Sequence, residues 1–181
     1  AVAKKPRLLV LFASLLQHHA GQHIRPMPLD LDNGLPGIAL RLGASEDVER
    51  SIYVHVDTCA AMNTGNLLVH QYVASNHPEL VAEYIRYDDK QPFEPIRVQC
   101  AVEDFDKLET EHGKLIAIIR YFTAYTDKSG KRQVISFGLG HNVAFNSILG
   151  LPTLRQWGCA IELQSNTLSA WHIETRFALE Y

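Results

Sequence analysis

The sequence predicts an all-β domain that carries two short helices. Short runs in which apolar and polar residues alternate recur along the chain, which is typical of half-buried strands. Glycine, proline, asparagine and aspartate separate these runs and indicate frequent turns. Only two stretches suggest a helix, and no repeat of solenoid length is present. Many short strands with frequent turns favour a core built from sheets.

The composition is that of an ordinary globular protein. The 181 residues suit one domain, and a content of 46% hydrophobic and 20% charged residues argues against disorder. The net charge of −3 is too small to indicate a nucleic-acid partner. We expect a domain at residues 36–173, an N-terminal extension at 1–35 and a C-terminal tail at 174–181.

The cysteines and histidines do not indicate a metal site. The cysteines are odd in number and widely spaced without a CxxC pair, which favours reduced thiols in an intracellular setting. We expect no structural zinc and no cofactor. A loose histidine cluster could bind a metal, but a solvated loop is favoured because no thiol or carboxylate lies close by. The residues concerned are Cys59, Cys100 and Cys159, and His18, His19 and His23.

An apolar run at residues 8–16 follows a basic stretch and superficially resembles a signal peptide. No small-residue cleavage site follows it, because Gln17, His18 and His19 come next. The run is also too short to span a bilayer. We predict a strand or short helix that packs on the domain, and no membrane association.

The first two predicted strands lead to the leading site candidate. Residues 38–42 alternate, and a second strand at 51–57 has apolar side chains at every second position from Ile52. Asp57 ends this strand. A carboxylate in this position costs free energy to bury unless it is paired, hydrogen-bonded or used in chemistry. A hydroxyl and three small side chains follow it, at Thr58, Cys59, Ala60 and Ala61.

After this loop the sequence suggests a turn, a strand and a helix. Residues 63–66 have turn composition, and 67–69 can start a strand. Capping residues precede Pro78, and the apolar spacing that follows predicts an amphipathic helix at 78–87. This helix would be an insertion that packs on the sheet.

A long hairpin with a polar tip is predicted next. Residues 96–102 alternate, 103–112 are acidic, and 114–125 form the returning strand. An acidic tip is usually solvated, so we assign no ligand to it. A turn at 126–131 then leads to a strand at 133–139.

A second glycine motif lies towards the C-terminal end. The motif Ile148-Leu149-Gly150 ends an apolar strand with a residue that permits close approach of another backbone. Pro152 opens a short helix, which Gly158 stops. Two further strands, at 161–163 and 167–173, complete the predicted domain.

Together, these two motifs resemble the signature stretches of a known family. VDTCAAMNTGN and NSILGLPTLRQWGCAIEL, in this order, are similar to the two signatures of retropepsin-like aspartic proteases, especially those of LTR-retrotransposon polyproteins. The resemblance covers roughly residues 36–171. It implies an all-β acid-protease fold with an inserted helix, and an active site formed at a homodimer interface.

The resemblance also implies roles for individual residues. Asp57 would be the catalytic aspartate, Thr58 would hydrogen-bond across the two active-site loops, and Ala60 would pack below them. The active-site loop would continue through Cys59, Ala60 and Ala61. The second motif, Ile148, Leu149 and Gly150, would support this loop. Residues 96–125 would form the flap that closes over substrate.

The implied chemistry requires two carboxylates. Two close like charges cannot both ionise easily, so one acts as base towards a water while the other, protonated, donates to the peptide carbonyl. The chain contains only one Asp-Thr or Asp-Ser pair, so a second copy must supply the other Asp57. We therefore expect a homodimeric endopeptidase that cleaves a polyprotein in the cytoplasm or in a virus-like particle.

Cys59 is the departure from the family pattern, which has glycine at this position. One alternative is a catalytically inactive retropepsin-like module for dimerisation or protein binding. Another is a cysteine nucleophile, which would need a histidine close in space. For the residue itself, a small buried thiol is the favoured interpretation.

Overall fold

The computed structural model describes residues 35–45, 50–88, 96–97, 114–141, 143 and 145–181. The apolar run at 8–16, the histidine cluster, Cys100 and most of the predicted hairpin lie outside these ranges. The strands and helices are β1 Gly37–Leu42, β2 Arg50–Val56, β3 Thr64–Asn66, α1 Leu67–Asn76, β4 Val81–Arg86, β5 Ile96–Arg97, β6 Lys114–Leu115, β7 Ala117–Thr126, β8 Arg132–Gly140, β9 Ser147–Leu149, α2 Leu151–Gln156, β10 Cys159–Glu162, β11 Thr167–Ala170 and β12 Thr175–Ala178.

Six strands close into a barrel. They follow the order β1, β2, β9, β3, β8 and β7, and the pairing of Leu42 with Thr123 joins β7 back to β1. The N–H of Gly43 donates to the carbonyl oxygen of Phe122 at 2.8 Å beside this pairing. β4 pairs with β7 as an additional strand. Closure removes most free strand edges, and the mostly β architecture predicted from the sequence is confirmed.

Alternation in the sequence fills the barrel interior. Ile38, Leu40 and Leu42 of β1 are fully buried, while Ala39 between them is exposed. β7 shows the same period over ten residues. Burying a large apolar side chain stabilises the fold by about 1.5–3 kcal/mol. The alternation of apolar and polar residues therefore determines which face of each strand points into the barrel.

A three-stranded sheet of β10, β11 and β12 packs against the barrel core. The Tyr125 ring lies edge-on to Trp157 and Phe177, with centroids 5.6 and 5.5 Å away. Gly37 and Glu180 exchange backbone hydrogen bonds of 2.8 and 2.9 Å, which ties the chain end to β1. The segment that the sequence leaves as a tail at 174–181 thus contains β12 and is part of the packed domain.

The strand predicted from residue 67 is wrong, because this segment is helix α1. Asn66 caps the helix: its side-chain oxygen accepts the N–H groups of Leu68 and Val69 at 3.0 and 3.4 Å. The residues before the helix, predicted as a turn, form the short strand β3. Leu68 and Tyr72 on the helix are exposed although they are apolar.

The amphipathic helix predicted at 78–87 is also wrong. Pro78–Leu80 forms a single 3₁₀ turn, and Val81–Arg86 is strand β4, which pairs with β7. A register shift between Val81 and Glu83 interrupts strict alternation. Val81 and Tyr84, three residues apart, therefore both pack against the core, which mimics helical spacing.

The other described elements agree with the sequence in type. β9 is followed by helix α2, and Gly158 ends that region with a φ of +62°. The return strand is shorter than predicted: β11 ends at Ala170 and a 3₁₀ turn, Trp171–Ile173, follows. Of the flap hairpin predicted at 96–125, the structure describes the pairing of Ile96 with Leu115 in β5 and β6. The rest of the predicted return strand is not part of a flap, because Ala117–Thr126 is strand β7, which pairs with β4 and β8.

Buried His70 fastens α1 to the barrel. Its Nε2 atom lies 3.0 Å from the carbonyl oxygen of Asn146 and 2.9 Å from Ser147 Oγ, and Nδ1 lies 2.5 Å from the Tyr121 hydroxyl. Because a carbonyl oxygen only accepts, Nε2 carries the hydrogen and Nδ1 accepts from Tyr121. A Cβ on Gly65 would lie 2.4 Å from Nε2, so glycine is needed for this approach.

Candidate active site

The loop that begins at Asp57 continues directly from β2. β2 and β9 are parallel neighbours, with Val56 opposite Leu149. The N–H of Asp57 donates to the carbonyl oxygen of Leu149 at 3.0 Å, one residue beyond the end of the strand. The structure thus brings the two predicted motifs together, although about ninety residues separate them in sequence.

The Asp57 side chain is held by its own loop. The side-chain Oδ1 atom of Asp57 accepts the N–H of Cys59 at 2.9 Å. The backbone carbonyl oxygen of Asp57 accepts the N–H of Ala60 at 3.2 Å. The residue is half-buried, so the carboxylate is both oriented and accessible. Asp57 is the only acidic residue of the loop and of the strand that follows, through residue 66. This segment of the chain therefore contributes one carboxylate.

The second motif supports the loop from behind. The N–H of Leu151 donates to the carbonyl oxygen of Ala60 at 2.8 Å. A Cβ on Gly150 would lie 2.6 Å from the carbonyl oxygen of Met62 and 3.0 Å from that of Ala60. Because these neighbours are backbone atoms, a side chain at position 150 would displace the loop.

Asn63 lies at the end of the loop and binds the second motif through its side chain. The sequence did not indicate this role, because the composition of residues 63–66 predicts only a turn. The side-chain oxygen accepts the N–H of Gly150 at 2.7 Å. The side-chain nitrogen donates to the carbonyl oxygen of Ser136 at 3.0 Å and to Thr153 Oγ1 at 2.7 Å. The signal available in the sequence was an amide side chain, which carries hydrogen-bond donors and an acceptor, directly after the Asp57 loop.

Cys59 is exposed, which contradicts the buried thiol favoured from the sequence. Among the described residues that are not glycine, only Asn166 and Glu174 have positive φ. Cys59 therefore adopts a backbone conformation open to any L-residue, and this position does not require glycine for its own conformation. No described histidine hydrogen-bonds to its thiol.

The remaining predicted residues of the site fall into an exposed and a buried group. Thr58 and Ala61 are exposed on the loop, Ala60 and Ile148 are half-buried, and Leu149 and Gly150 are buried. Leu115 of β6 and Met62 of the loop both lie beside Gly138: a Cβ on this glycine would lie 2.6 Å from Leu115 Cδ1 and 3.1 Å from Met62 Cε.

The described residues contain no group of three or more histidine, cysteine, aspartate or glutamate residues placed to hold a metal ion. They also contain no helix that is long and apolar enough to cross a membrane.

The chain is similar in structure to the retroviral protease-like domain of Ddi1 from Leishmania major. The match has a TM-score of 0.42 and 12% sequence identity, and it covers 81% of this chain and 94% of that domain. No protein-family model and no curated protein matches the sequence.

Proposed function

We propose that this chain is an aspartic endopeptidase of the retropepsin type that acts as a homodimer. The observation that carries the proposal is the state of Asp57: its carboxylate is accessible, is oriented by the Cys59 N–H at 2.9 Å, and lies on a loop fixed by Leu149. A fixed, reachable carboxylate is what general acid–base catalysis requires.

The second carboxylate of the dyad is proposed to come from Asp57 of a second copy. One carboxylate then takes a proton from water as the water oxygen attacks the peptide carbonyl carbon. The other, protonated, donates its proton to the carbonyl oxygen. As the C–N bond breaks, the leaving nitrogen takes the proton held by the first carboxylate, and the diol returns a hydroxyl proton to the second carboxylate as its C=O bond reforms. In each chain the Cys59 N–H would keep the carboxylate in orientation through these steps.

The substrate is proposed to be a polyprotein, in a cytoplasmic setting or in a virus-like particle, as expected for a retrotransposon protease. Support for this finer assignment comes from the two sequence motifs. A flap that covers an extended peptide is proposed from the same resemblance; of that hairpin the structure describes the pairing of β5 with β6.

Asp57→Asn, compared with Asp127→Asn, tests the proposed function. Asp127 accepts the N–H of Ser129 through Oδ1 at 2.9 Å, which matches the Asp57 geometry in a turn outside the candidate site. We expect Asp57→Asn to abolish cleavage of a peptide library with folding retained. Asp127→Asn should cleave like wild type. Cleavage by Asp57→Asn at the wild-type rate would exclude the aspartic mechanism.

Cys59 favours a second candidate, an inactive module for dimerisation or protein binding. Its exposed side chain replaces the usual glycine beside the carboxylate. Binding of a statine peptide separates the two candidates, since this inhibitor class mimics the hydrated peptide bond. If the chain is an enzyme, we expect the statine peptide to raise the unfolding temperature of wild type and not that of Asp57→Asn. If the chain is an inactive module, we expect the peptide to raise the unfolding temperature of neither protein.

A further inference from the structure

Among the described hydrogen bonds that join the Asp57 loop to the rest of the fold, only those of Asn63 use a side chain of the loop. The bonds from Asp57 to Leu149 and from Leu151 to Ala60 join backbone atoms, so the side chains at these positions do not make them. Asn63 instead binds through its side chain, to Gly150 at 2.7 Å, Ser136 at 3.0 Å and Thr153 at 2.7 Å.

The partners fix the orientation of the Asn63 amide. The Gly150 N–H can only donate and the Ser136 carbonyl can only accept, so the side-chain oxygen must face Gly150 and the nitrogen must face Ser136. The backbone carbonyl of Asn63 also accepts the N–H of Gly138 at 2.9 Å. One residue is thus tied to β8, to α2 and to the glycine between β9 and α2.

These attachments surround the end of the loop opposite Asp57. If Asn63 is released, the loop keeps its first backbone bond at Leu149 but loses its side-chain link to Gly150, the residue packed against Met62 and Ala60. The position of the loop relative to the second motif then rests on backbone bonds alone. Catalysis is sensitive to such shifts, since a displacement of about 1 Å can lower a rate by about 100-fold.

We infer that Asn63 is the positioning residue of the catalytic loop: its side chain sets where the Asp57 carboxylate stands relative to substrate and to a second copy. This inference rests on the proposed function. It goes beyond a structural role because it predicts a change in turnover and in loop protection, and leaves substrate affinity unaltered.

Asn66 provides a matched control. It is the same residue type, lies three positions away, and its side chain also makes several bonds: it caps α1 and donates to the carbonyl oxygens of His141 and Val143 at 3.3 and 3.1 Å. None of these partners belongs to the Asp57 loop or the second motif. Asn66→Ala therefore measures the effect of removing a hydrogen-bonded asparagine whose side chain does not bind the loop or the second motif.

The experiment compares wild type, Asn63→Ala and Asn66→Ala in two assays, at a temperature where all three are folded. In peptide cleavage we expect Asn63→Ala to lower kcat by about 10-fold to 100-fold with KM unchanged, and Asn66→Ala to keep the wild-type kcat. In amide hydrogen exchange we expect about 10-fold faster exchange at Gly150 and Leu151 in Asn63→Ala alone. Equal kcat in Asn63→Ala and wild type, or unchanged exchange at Gly150, would overturn the inference.

The exchange assay keeps this test separate from that of the proposed function. It needs no activity, so a wild type that cleaves nothing refutes the protease while exchange still decides the role of Asn63. If Asn63→Ala does not fold, Thr153→Val replaces it, because this variant removes only the hydroxyl 2.7 Å from the Asn63 nitrogen. Faster exchange at Gly150 is again expected, and unchanged exchange would again overturn the inference.

Discussion

Gly150 and Met62 approach so closely that a Cβ on the glycine would lie 2.6 Å from the methionine carbonyl oxygen. The contact joins the second sequence motif to the loop that carries Asp57. It explains why a glycine follows two apolar residues here, since any other residue would push the loop away.

Gly150→Ala should therefore lower both stability and activity. Overpacking of this kind costs about 1–3 kcal/mol, and the neighbouring atoms are backbone that cannot rotate aside. Gly138→Ala is the comparison, because its closest neighbour is a methyl group of Leu115, at the end of a flexible side chain. Denaturant unfolding should show a larger loss for Gly150→Ala. An equal or smaller loss would contradict this description of the loop.

Cys59→Gly should preserve or raise turnover. The thiol is exposed, and the bond to Asp57 uses the backbone N–H, which glycine retains. Removing the side chain gives the glycine found at this position in the retropepsin-like motif and reduces bulk beside the carboxylate. A peptide-cleavage assay with and without a thiol alkylator checks this. Loss of cleavage in Cys59→Gly with the fold intact by circular dichroism would make us abandon the aspartic mechanism.

His70 should make the fold less stable in acid. Burial lowers the pKa of this histidine from 6.5 to about 4, against a smaller opposing effect of its bond to Asn146. Between these values the unfolded chain binds a proton that the folded chain does not, so stability falls as pH drops from 6.5 towards 4. The full loss is about 3 kcal/mol.

Denaturant unfolding between pH 7 and pH 4 measures this loss. His70→Asn should show a weaker pH dependence than wild type, whatever its absolute stability. His77→Asn, which leaves His70 in place, is the matched control. An identical dependence in wild type and His70→Asn would show that His70 is not the group responsible. If confirmed, the effect sets an acid limit on the proposed protease, whose carboxylate dyad we expect to work at mildly acidic pH.

Glu180 should act in the opposite direction. Partial burial raises the pKa of its carboxyl from 4.5 to about 7. Its contribution is present below pH 4.5 and is lost as pH rises through 7, because the folded chain then holds a partly buried charge. Glu180→Gln, which stays neutral, should be more stable than wild type at pH 8 and similar at pH 4.5. Thermal unfolding at both values checks this, and equal melting temperatures at pH 8 would contradict it.

The sequence predicted the strands well where one face is buried and the register is regular. Ile38, Leu40 and Leu42 alternate because the barrel buries every second residue of β1. The helix at α1 was missed because its outward face carries the apolar Leu68 and Tyr72 while its inward face carries His70, so no amphipathic pattern exists. The register shift at Val81 produced the converse error in β4.

The Asp57 loop and the Gly150 motif could be identified as site candidates, because a carboxylate after an apolar strand and a glycine between a strand and a helix are local signals. The contacts of Asn63 could not, since its partners lie 73 to 90 positions away in the sequence. Only the fold brings such residues together, so a residue that the sequence indicates as part of a turn makes long-range hydrogen bonds in the structure.

A mixing experiment distinguishes an active site that takes one Asp57 from each of two chains from a site formed within one chain. Wild type is mixed with an equal amount of Asp57→Asn, allowed to exchange subunits, and assayed for peptide cleavage at constant total protein. If the dyad is shared, only wild-type pairs are active and activity falls to about one quarter. Mixing with Asp127→Asn should leave activity unchanged. Activity of about one half in the Asp57→Asn mixture would contradict a shared dyad, because each wild-type chain would then be working alone.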